Sequence, residues 1–420
     1  MNTYIFYIYK NDKCFIYELQ GTSEKEVNIM KITNVRALVL SYKYNNGIAD
    51  ALNYFSIRNA VIVLLDTDNG IQGIGESACF GGPPNSTKYL IENELAKYVI
   101  GEDPTNVERI WQKMWYGSRH HGRRGIIQAS ISGIDIALWD LIGKQAKMPL
   151  YRLWGGYSSK IQPYASAGFY QKGKGIKELA NEVDSYIEEG FKFVKIKVGR
   201  TPEAMLCPTV NMPRGNKCVV TLEEDLARVE ACVNILKNKA KLIVDVNNAW
   251  TPSIAIKMGR EFEKMGVYWI EEPVATDDIK GSAEVARALD IPIAGYESES
   301  GLYGFRELIE NRAIDIVQPD VCWTGGFSEC HRIAAFALAY NLPVIPHVFS
   351  SGVSLVANMH FIASISNNHL LEFDRNPYPL RDDLLSEKIT LDLDGYVKIP
   401  EKPGLGIELN EKEVKKYLTE

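Results

Sequence analysis

From about residue 160 onward, short apolar runs rich in β-branched residues alternate with longer amphipathic stretches. Eight runs are read as strands: KIQPYASAG (160–168), FKFVKIKVG (191–199), KLIVDVN (241–247), VYWIEEP (267–273), IPIAGYES (291–298), AIDIVQPDV (313–321), LPVIPHV (342–348) and HLLEF (369–373). The stretches between them have helical spacing. It is clearest in TLEEDLARVEACVNILKNK (221–239), where Leu222, Leu226, Val229 and Val233 mark one face. Acidic residues fill its first turn and lysines its last, which complements the helix dipole. Eight βα units in about 210 residues predict an α/β fold, a (β/α)8 TIM-like barrel over 156–373. A doubly wound open sheet is the alternative. It calls for a glycine-rich phosphate turn after the first strand, and SAGFYQKGKG is a poor one.

The unit between the second and third strands is over-long. Its segment RTPEAMLCPTVNMPRGNK (200–217) carries three prolines without periodicity and is read as an insertion loop. Residues 30–155 pattern differently. KITNVRALVLSYK and RNAVIVLLDTDNGIQGIGES read as antiparallel strands with DTDNG as a turn, and helical patterns follow, ending in GIIQASISGIDIALWDLIGKQA (125–146). This predicts an α+β capping domain ahead of the barrel, completed by the tail at about 374–420. Residues 1–29 are an N-terminal extension, either an appended strand pair or a frayed end.

Composition narrows the class. At 420 residues, 46% hydrophobic and 24% charged, the chain is long and apolar enough for a large core and is neither disordered nor fibrous. A net charge of −6 without a long basic run argues against a nucleic-acid or anionic-membrane surface. No apolar run is expected to reach the roughly 18 residues of a membrane helix. The N-terminus lacks a basic start and a cleavage site, so no signal peptide is expected. Seven scattered cysteines without a CxxC fit a reducing cytoplasm. Cys207 and Cys218 flank the insertion and are the one candidate pair; idle thiols are the commoner case.

The last polar residues of the strands carry the chemistry. They are Lys195 and Lys197 on the second, Asp245 and Asn247 on the third, then Glu271, Glu297, Asp320, His347 and Glu372. From Asp245 to Glu372 the intervals are 26, 26, 23, 27 and 25 residues, about one βα unit each. Polar groups therefore return at one height of successive strands, where barrels carry their sites. Three carboxylates, Asp245, Glu271 and Glu297, would converge and repel unless a cation joins them. All-oxygen ligation favours Mg2+ or Mn2+ over zinc. Separate ion pairs with barrel lysines and arginines are the competing reading. His347 alone would read as a satisfied core histidine. Asp320, at the end of the preceding strand, makes it a candidate acid or base. Lys195 and Lys197 are two apart in a strand and so share a face. Two adjacent ammonium groups are expected to lower the pKa of Lys197 and make it a base for a carbon acid. Two snorkelling surface lysines are the bland alternative.

Taken together, KIKVG, DVNNAW, WIEEP, ESES before YGF, VQPD and IPH, with ISGIDIALWDLIGK ahead of the barrel, resemble the enolase superfamily and its mandelate racemase subgroup. The resemblance spans roughly residues 30 to 400. It implies that Asp245, Glu271 and Glu297 ligate one Mg2+, with Mn2+ an alternative. It makes Lys197 a base with Lys195 beside it, and His347 with Asp320 the second acid/base on the opposite face of the substrate. Glu372 and Lys195 would hydrogen-bond the substrate carboxylate, and Asn247 would contact the substrate near the metal. The implied chemistry is abstraction of the proton next to a carboxylate, giving an enediolate. Loss of the β-hydroxyl makes a sugar-acid dehydratase acting on an aldonic or aldaric acid and yielding a 2-keto-3-deoxy acid, which is the favoured reading. Return of the proton on the other face makes a racemase or epimerase. A non-catalytic sugar-acid binding protein is the third possibility, and it would be favoured by a missing ligand or base. The implied partners are a small-molecule sugar acid and further copies of the chain in a dimer-based homo-oligomer, up to an octamer. Neither nucleic acid nor membrane is implied.

Family members use capping loops to close the barrel mouth, and SYKYNNGIADALNYFSIR and ESACFGGPPNST are the corresponding stretches. The chain departs from the family pattern at Tyr296, often glycine, and at Glu299, a competing carboxylate two residues after Glu297. The basic segment YGSRHHGRRG (116–125) meets an anionic substrate or lies at a subunit interface or solvated turn.

Overall fold

A computed structural model describes residues 5–10, 13–18, 25–27, 30–80, 82–202 and 219–419. Most of the 200–217 insertion lies outside them, and so does the candidate pairing of Cys207 with Cys218. Near the N-terminus, β1 (Ile5–Lys10), β2 (Lys13–Glu18) and β3 (Lys25–Val27) form an antiparallel meander, one strand more than the pair expected.

The capping domain is built on β4 (Ile32–Ala49), β5 (Tyr54–Thr67) and β6 (Gln72–Ser77), paired antiparallel in that order. The β-branched run AVIVLL makes β5 the central strand, buried through its middle. β4 extends further than the sequence suggests. The segment read as a capping loop continues the strand to Ala49, with an irregular register between Lys43 and Ile48, so the hairpin tip is only about residues 50–53.

The helix Ile126–Ala146 lies against this sheet. The approach is close: a Cβ on Gly75 would sit 2.1 Å from the Gly133 carbonyl oxygen, and one on Gly73 would sit 2.3 Å from that of Ala137. This helix, with a hydropathy of 1.4, is long and apolar enough to cross a membrane, contrary to the expectation that no segment is. Some 78% of its apolar window is buried inside the protein, and it serves as the central core helix.

The barrel strands run parallel. β8 (Pro163–Ser166), β9 (Phe193–Lys197), β10 (Lys241–Asp245), β11 (Ile270–Glu271), β12 (Ile293–Gly295) and β13 (Ile316–Val317) are neighbours in chain order, and β14 (Leu371–Asp374) pairs back onto β8. The seventh position is held by a single bridging residue. Val344 pairs with both Val317 and Asn368, closing the ring. Its N–H donates to the Asn367 carbonyl at 2.8 Å. Pro343 and Pro346 remove donors on either side, which keeps LPVIPHV from forming a longer ladder. The eighth strand is followed by a one-turn helix only, Pro379–Asp382. The tail returns to both parts of the molecule. β15 (Val397–Lys398) pairs with β7 (Lys160–Ile161), and Thr419 donates its N–H to the Val39 carbonyl at 2.9 Å.

Candidate active site

Side chains inside the barrel are layered by the two-residue period of its strands. Tyr164, Ile243, Trp269, Ala294, Ile316, Ile345 and Leu370 form an apolar floor, with Phe193 packed against it. Two residues beyond Phe193, Ile243, Trp269, Ile345 and Leu370 come Lys195, Asp245, Glu271, His347 and Glu372. The same alternation that builds the floor thus lifts a polar layer above it. Strand register completes the alignment, since Asp245 pairs with Lys197 on one side and Glu271 on the other.

The nine residues named from the sequence are buried or nearly so and lie together. Asp245, Glu271 and Glu297 each offer one oxygen, all within 4.8 Å of one another. Lys195 contacts Glu271 Oε1 and lies 2.8 Å from Glu372 Oε1 and 3.5 Å from Asp245 Oδ2. Lys197 contacts the same Asp245 oxygen. On the opposite side, His347 Nδ1 is 2.9 Å from Asp320 Oδ2, and its Nε2 is 3.2 Å from Glu297 Oε2. Asp320 is itself fixed by the Cys322 N–H at 2.8 Å. Glu372 is held at its second oxygen by the Val348 N–H at 2.9 Å. Asn247 turns over the strand end with a positive φ of 44°, its N–H donating to Asp245 Oδ1 at 2.9 Å.

Electrostatics corrects one expectation. Burial, the largest influence, and the neighbouring Lys195 push the Lys197 pKa down, but the surrounding carboxylates, Asp245 foremost with Glu297 and Glu271, together outweigh them and the net shift is upward. The sequence places the like charge beside Lys197; the opposite charges come from the following strands. Lys195 behaves likewise: burial lowers its pKa, and Glu271 and Glu372 raise it well above the usual value. In return, burial pushes the Asp245 carboxyl up, yet the two ammonium groups hold its pKa below normal. Burial lifts Glu271 to about 7 and also raises Glu297. His347 is lowered by burial and raised by Glu297 and Asp320, reaching about 9.

The donor set suits a hard divalent cation. Three carboxylates converge, two of them with pKa values raised by burial, and Asn247 Oδ1 is buried with no hydrogen-bond partner. In this geometry the two lysines supply the compensating charge. Glu299 does not compete for the site. Its Oε2 faces Arg124 at 3.0 Å and its Oε1 accepts the Ser300 N–H at 2.7 Å. Tyr296 is buried and donates to Ser282 Oγ at 2.8 Å. Of the basic segment 116–125, Arg124 pairs with Asp277 and Glu299, and the segment lines a separate cleft beside the helix Gly301–Glu310.

Three participants escape a reading of the sequence. Gln318 donates to Glu271 Oε2 at 2.9 Å; it stands two residues before Asp320 in VQPD, and that alternation was the available signal. Glu272, fully buried, accepts the Glu297 N–H at 2.8 Å and the Asn248 amide at 2.6 Å, so it shapes the turn that carries the third carboxylate. Phe80, from the capping domain, meets the His347 ring edge-on at 5.1 Å and stacks on Trp323 at 5.0 Å. It lies in ESACFGGPPNST, the stretch read as a capping loop, though nothing in that stretch singles out the phenylalanine.

Known proteins resemble this chain along most of its length. A family model described as enolase C-terminal domain-like matches residues 178–413, and that of the mandelate racemase/muconate lactonizing enzyme N-terminal domain matches 43–155. The chain is 35% identical to an arabinonate dehydratase of Saccharolobus solfataricus over 92% of its own length and 99% of that protein's. It is 32% identical to a D-galactarolactone cycloisomerase of Agrobacterium fabrum over 91% and 97% of the two chains. Among solved structures, the L-talarate/galactarate dehydratase of Salmonella typhimurium LT2 superposes with a TM-score of 0.81 at 27% identity, covering 95% of each chain. A racemase from Streptomyces coelicolor A3(2), solved with bound magnesium, also gives 0.81 at 27% identity, covering 92% of this chain and 100% of that one.

Proposed function

The chain belongs to the mandelate racemase/muconate lactonizing branch of the enolase superfamily, and we propose that it is a Mg2+-dependent dehydratase of a sugar acid. The observation that carries this reading is one buried layer in which a carboxylate triad lies between an amine, Lys197, and an Asp320-paired imidazole, His347. Asp245, Glu271 and Glu297 would hold the ion. When bound, Mg2+ would offset most of the charge of the three carboxylates and supply positive charge beside the substrate's carboxylate.

The chain's own residues divide the reaction between them. Lys197, as the neutral amine, takes the proton from the carbon next to the carboxylate. Its partner Asp245 holds the amine protonated and so opposes that role; Lys197 is free to accept a proton only where it is released from that ion pair. The electron pair left on carbon expels the β-hydroxyl, and His347, whose pKa Glu297 and Asp320 raise, gives that oxygen its proton so that it leaves as water. The enol that remains tautomerises to a 2-keto-3-deoxy acid. Asp320 fixes the imidazole through Nδ1, leaving Nε2 to face the site. Lys195 and Glu372, already paired at 2.8 Å, and Asn247, with its open oxygen, orient the substrate's carboxylate and hydroxyl groups.

The test is to incubate purified protein and Mg2+ with a panel of aldonic and aldaric acids and assay 2-keto acid. No product from any of them, with metal bound, ends this reading. Isotherms with Mn2+ beside Mg2+ rank the two ions. A second reading is favoured by the cycloisomerase relative and by the presence of an acid/base group on each side of the triad: proton transfer without loss of water. Incorporation of deuterium from D2O with no 2-keto acid selects it. A dimer-based homo-oligomer acting in the cytoplasm completes the proposal, and light scattering checks the assembly.

A further inference from the structure

Two of the three carboxylates are placed by the strand ladder. Asp245 and Glu271 are the last residues of β10 and β11 and pair directly with each other. Glu297 is outside the ladder. β12 ends at Gly295, and Glu297 lies two residues further on, in a turn. Register does not fix its position, so another contact has to bring it within 4.8 Å of the other two.

That contact comes from a fourth carboxylate. Glu272, next to Glu271 in the chain, is 0% exposed. Its Oε1 accepts the Glu297 N–H at 2.8 Å, and its Oε2 accepts the Asn248 side-chain amide at 2.6 Å. Asn248 belongs to the turn after Asp245. Its Oδ1 accepts the Thr276 hydroxyl at 2.8 Å, and Thr276 Oγ1 lies 3.0 Å from the Oγ of Ser298, the neighbour of Glu297. The loops after Asp245 and Glu271 and the turn of Glu297 are thus closed into one ring of hydrogen bonds, and Glu272 reaches both of the others.

This residue is held against two penalties. Its backbone is left-handed, with a φ of 45°, a conformation a glutamate keeps only where its surroundings over-determine it. Its charge is buried beside three like charges, a repulsion that a neutral residue would avoid. Resting on the Mg2+ site of the reading above, we infer that Glu272 is a positioning residue for that site: it sets Glu297 at ligand distance from Asp245 and Glu271 through its hydrogen bonds rather than its charge.

Calorimetric Mg2+ isotherms of the full-length protein test this in three variants, each with a Tm beside it. Glu272→Ala removes both hydrogen bonds and the charge. Glu272→Gln removes the charge alone, since its carbonyl still accepts the Glu297 N–H and its amide donates to Asn248 once that side chain turns over. Asn248→Gly removes one tie, keeps the charge and suits the positive φ of 66° at that position. Mg2+ affinity should fall about tenfold or more in Glu272→Ala, stay within roughly threefold of wild type in Glu272→Gln, and fall roughly three- to tenfold in Asn248→Gly. A Glu272→Gln protein as weak as Glu272→Ala makes the charge the cause and overturns the inference. Unchanged isotherms in Glu272→Ala and Asn248→Gly overturn it too, whatever their Tm. If Glu272→Ala does not fold, the other two variants decide: a weakened Glu272→Gln or an unchanged Asn248→Gly ends the inference. If Mg2+ binds and no sugar acid is turned over, the dehydratase reading fails while these isotherms still decide the role of Glu272. Wild-type protein that binds no Mg2+ overturns both.

Discussion

The barrel mouth and the seam between cap and barrel both bury carboxylates, and they treat them in opposite ways. At the seam, Glu76 reaches from β6 to the start of the helix Gly352–Ser364. It accepts from the Ser351 hydroxyl at 2.5 Å, the Ser351 and Ser354 N–H groups at 3.1 and 2.8 Å, and the Ser350 hydroxyl. Asp135 likewise takes the Ser328 N–H and hydroxyl at the first turn of the helix Gly326–Ala339. These two carboxylates have fixed neutral donors aimed at them, at helix N-termini whose dipole favours a negative charge. At the mouth, three carboxylates share two ammonium groups, and a buried amide oxygen beside them has no donor. A carboxylate saturated by neutral donors ties parts together. A set that shares its counter-charges and leaves an acceptor open is arranged for something that comes and goes.

Mutations at the two places should separate cleanly. The largest effect is expected from Lys197→Ala, which should lower kcat roughly 100- to 10,000-fold while calorimetry shows Mg2+ still bound. Wild-type-like turnover would remove the base from the scheme. Next comes Glu271→Gln. Its Mg2+ affinity should fall by more than the roughly 10- to 100-fold typical of losing an outer-shell partner, and an unchanged isotherm would mean the triad is only an ion-pair network. Glu76→Ala should instead act on stability. Stranding the serine donors costs about 1–3 kcal/mol, visible as a lower Tm, with Mg2+ binding unaffected. A Glu76→Ala protein that lost metal but kept its Tm would erase the contrast between mouth and seam.

The smallest effect is a slope with pH. Burial lifts the Asp135 carboxyl to about 7 despite the Ser328 hydrogen bonds. Between about pH 4 and 7 the folded protein keeps a proton that the unfolded chain has released. Stability should therefore fall as pH rises through that window and level off above it. Asp135→Asn should lack this component, and denaturant midpoints at pH 5 and pH 8 would reveal it. Parallel slopes for the two proteins would place the charge cost elsewhere.

Much of this was legible in the residue order. The two-residue period put Lys195 and Lys197 on one face, and the 23–27-residue spacing brought Asp245, Glu271, Glu297, Asp320, His347 and Glu372 to one height. Where the reading slipped, partners distant in sequence decided the outcome. The helix Leu222–Leu236 buries Asp225 and Arg228 alongside Val229 and Cys232, while Leu222, Leu226 and Val233 are only partly buried. An apolar face alone could not show this. Asp225 is claimed by the Tyr170 hydroxyl at 2.7 Å and the Gly199 N–H at 2.7 Å, and Arg228 by the Lys197 carbonyl at 3.1 Å. The extension of β4 into the supposed capping loop followed from its pairing with β5 against local turn residues such as Asn45, Asn46 and Gly47.

By itself the sequence determined the repeating strand–helix order and the identity of the polar layer, because side-chain alternation and unit length are local properties of the chain. Only the tertiary structure decided how those charges balance, which cap ring meets His347 and which carboxylates are merely fasteners. Each of those outcomes depends on distances between strands and domains, and the dominant neighbour of a buried charge is the one nearest in space.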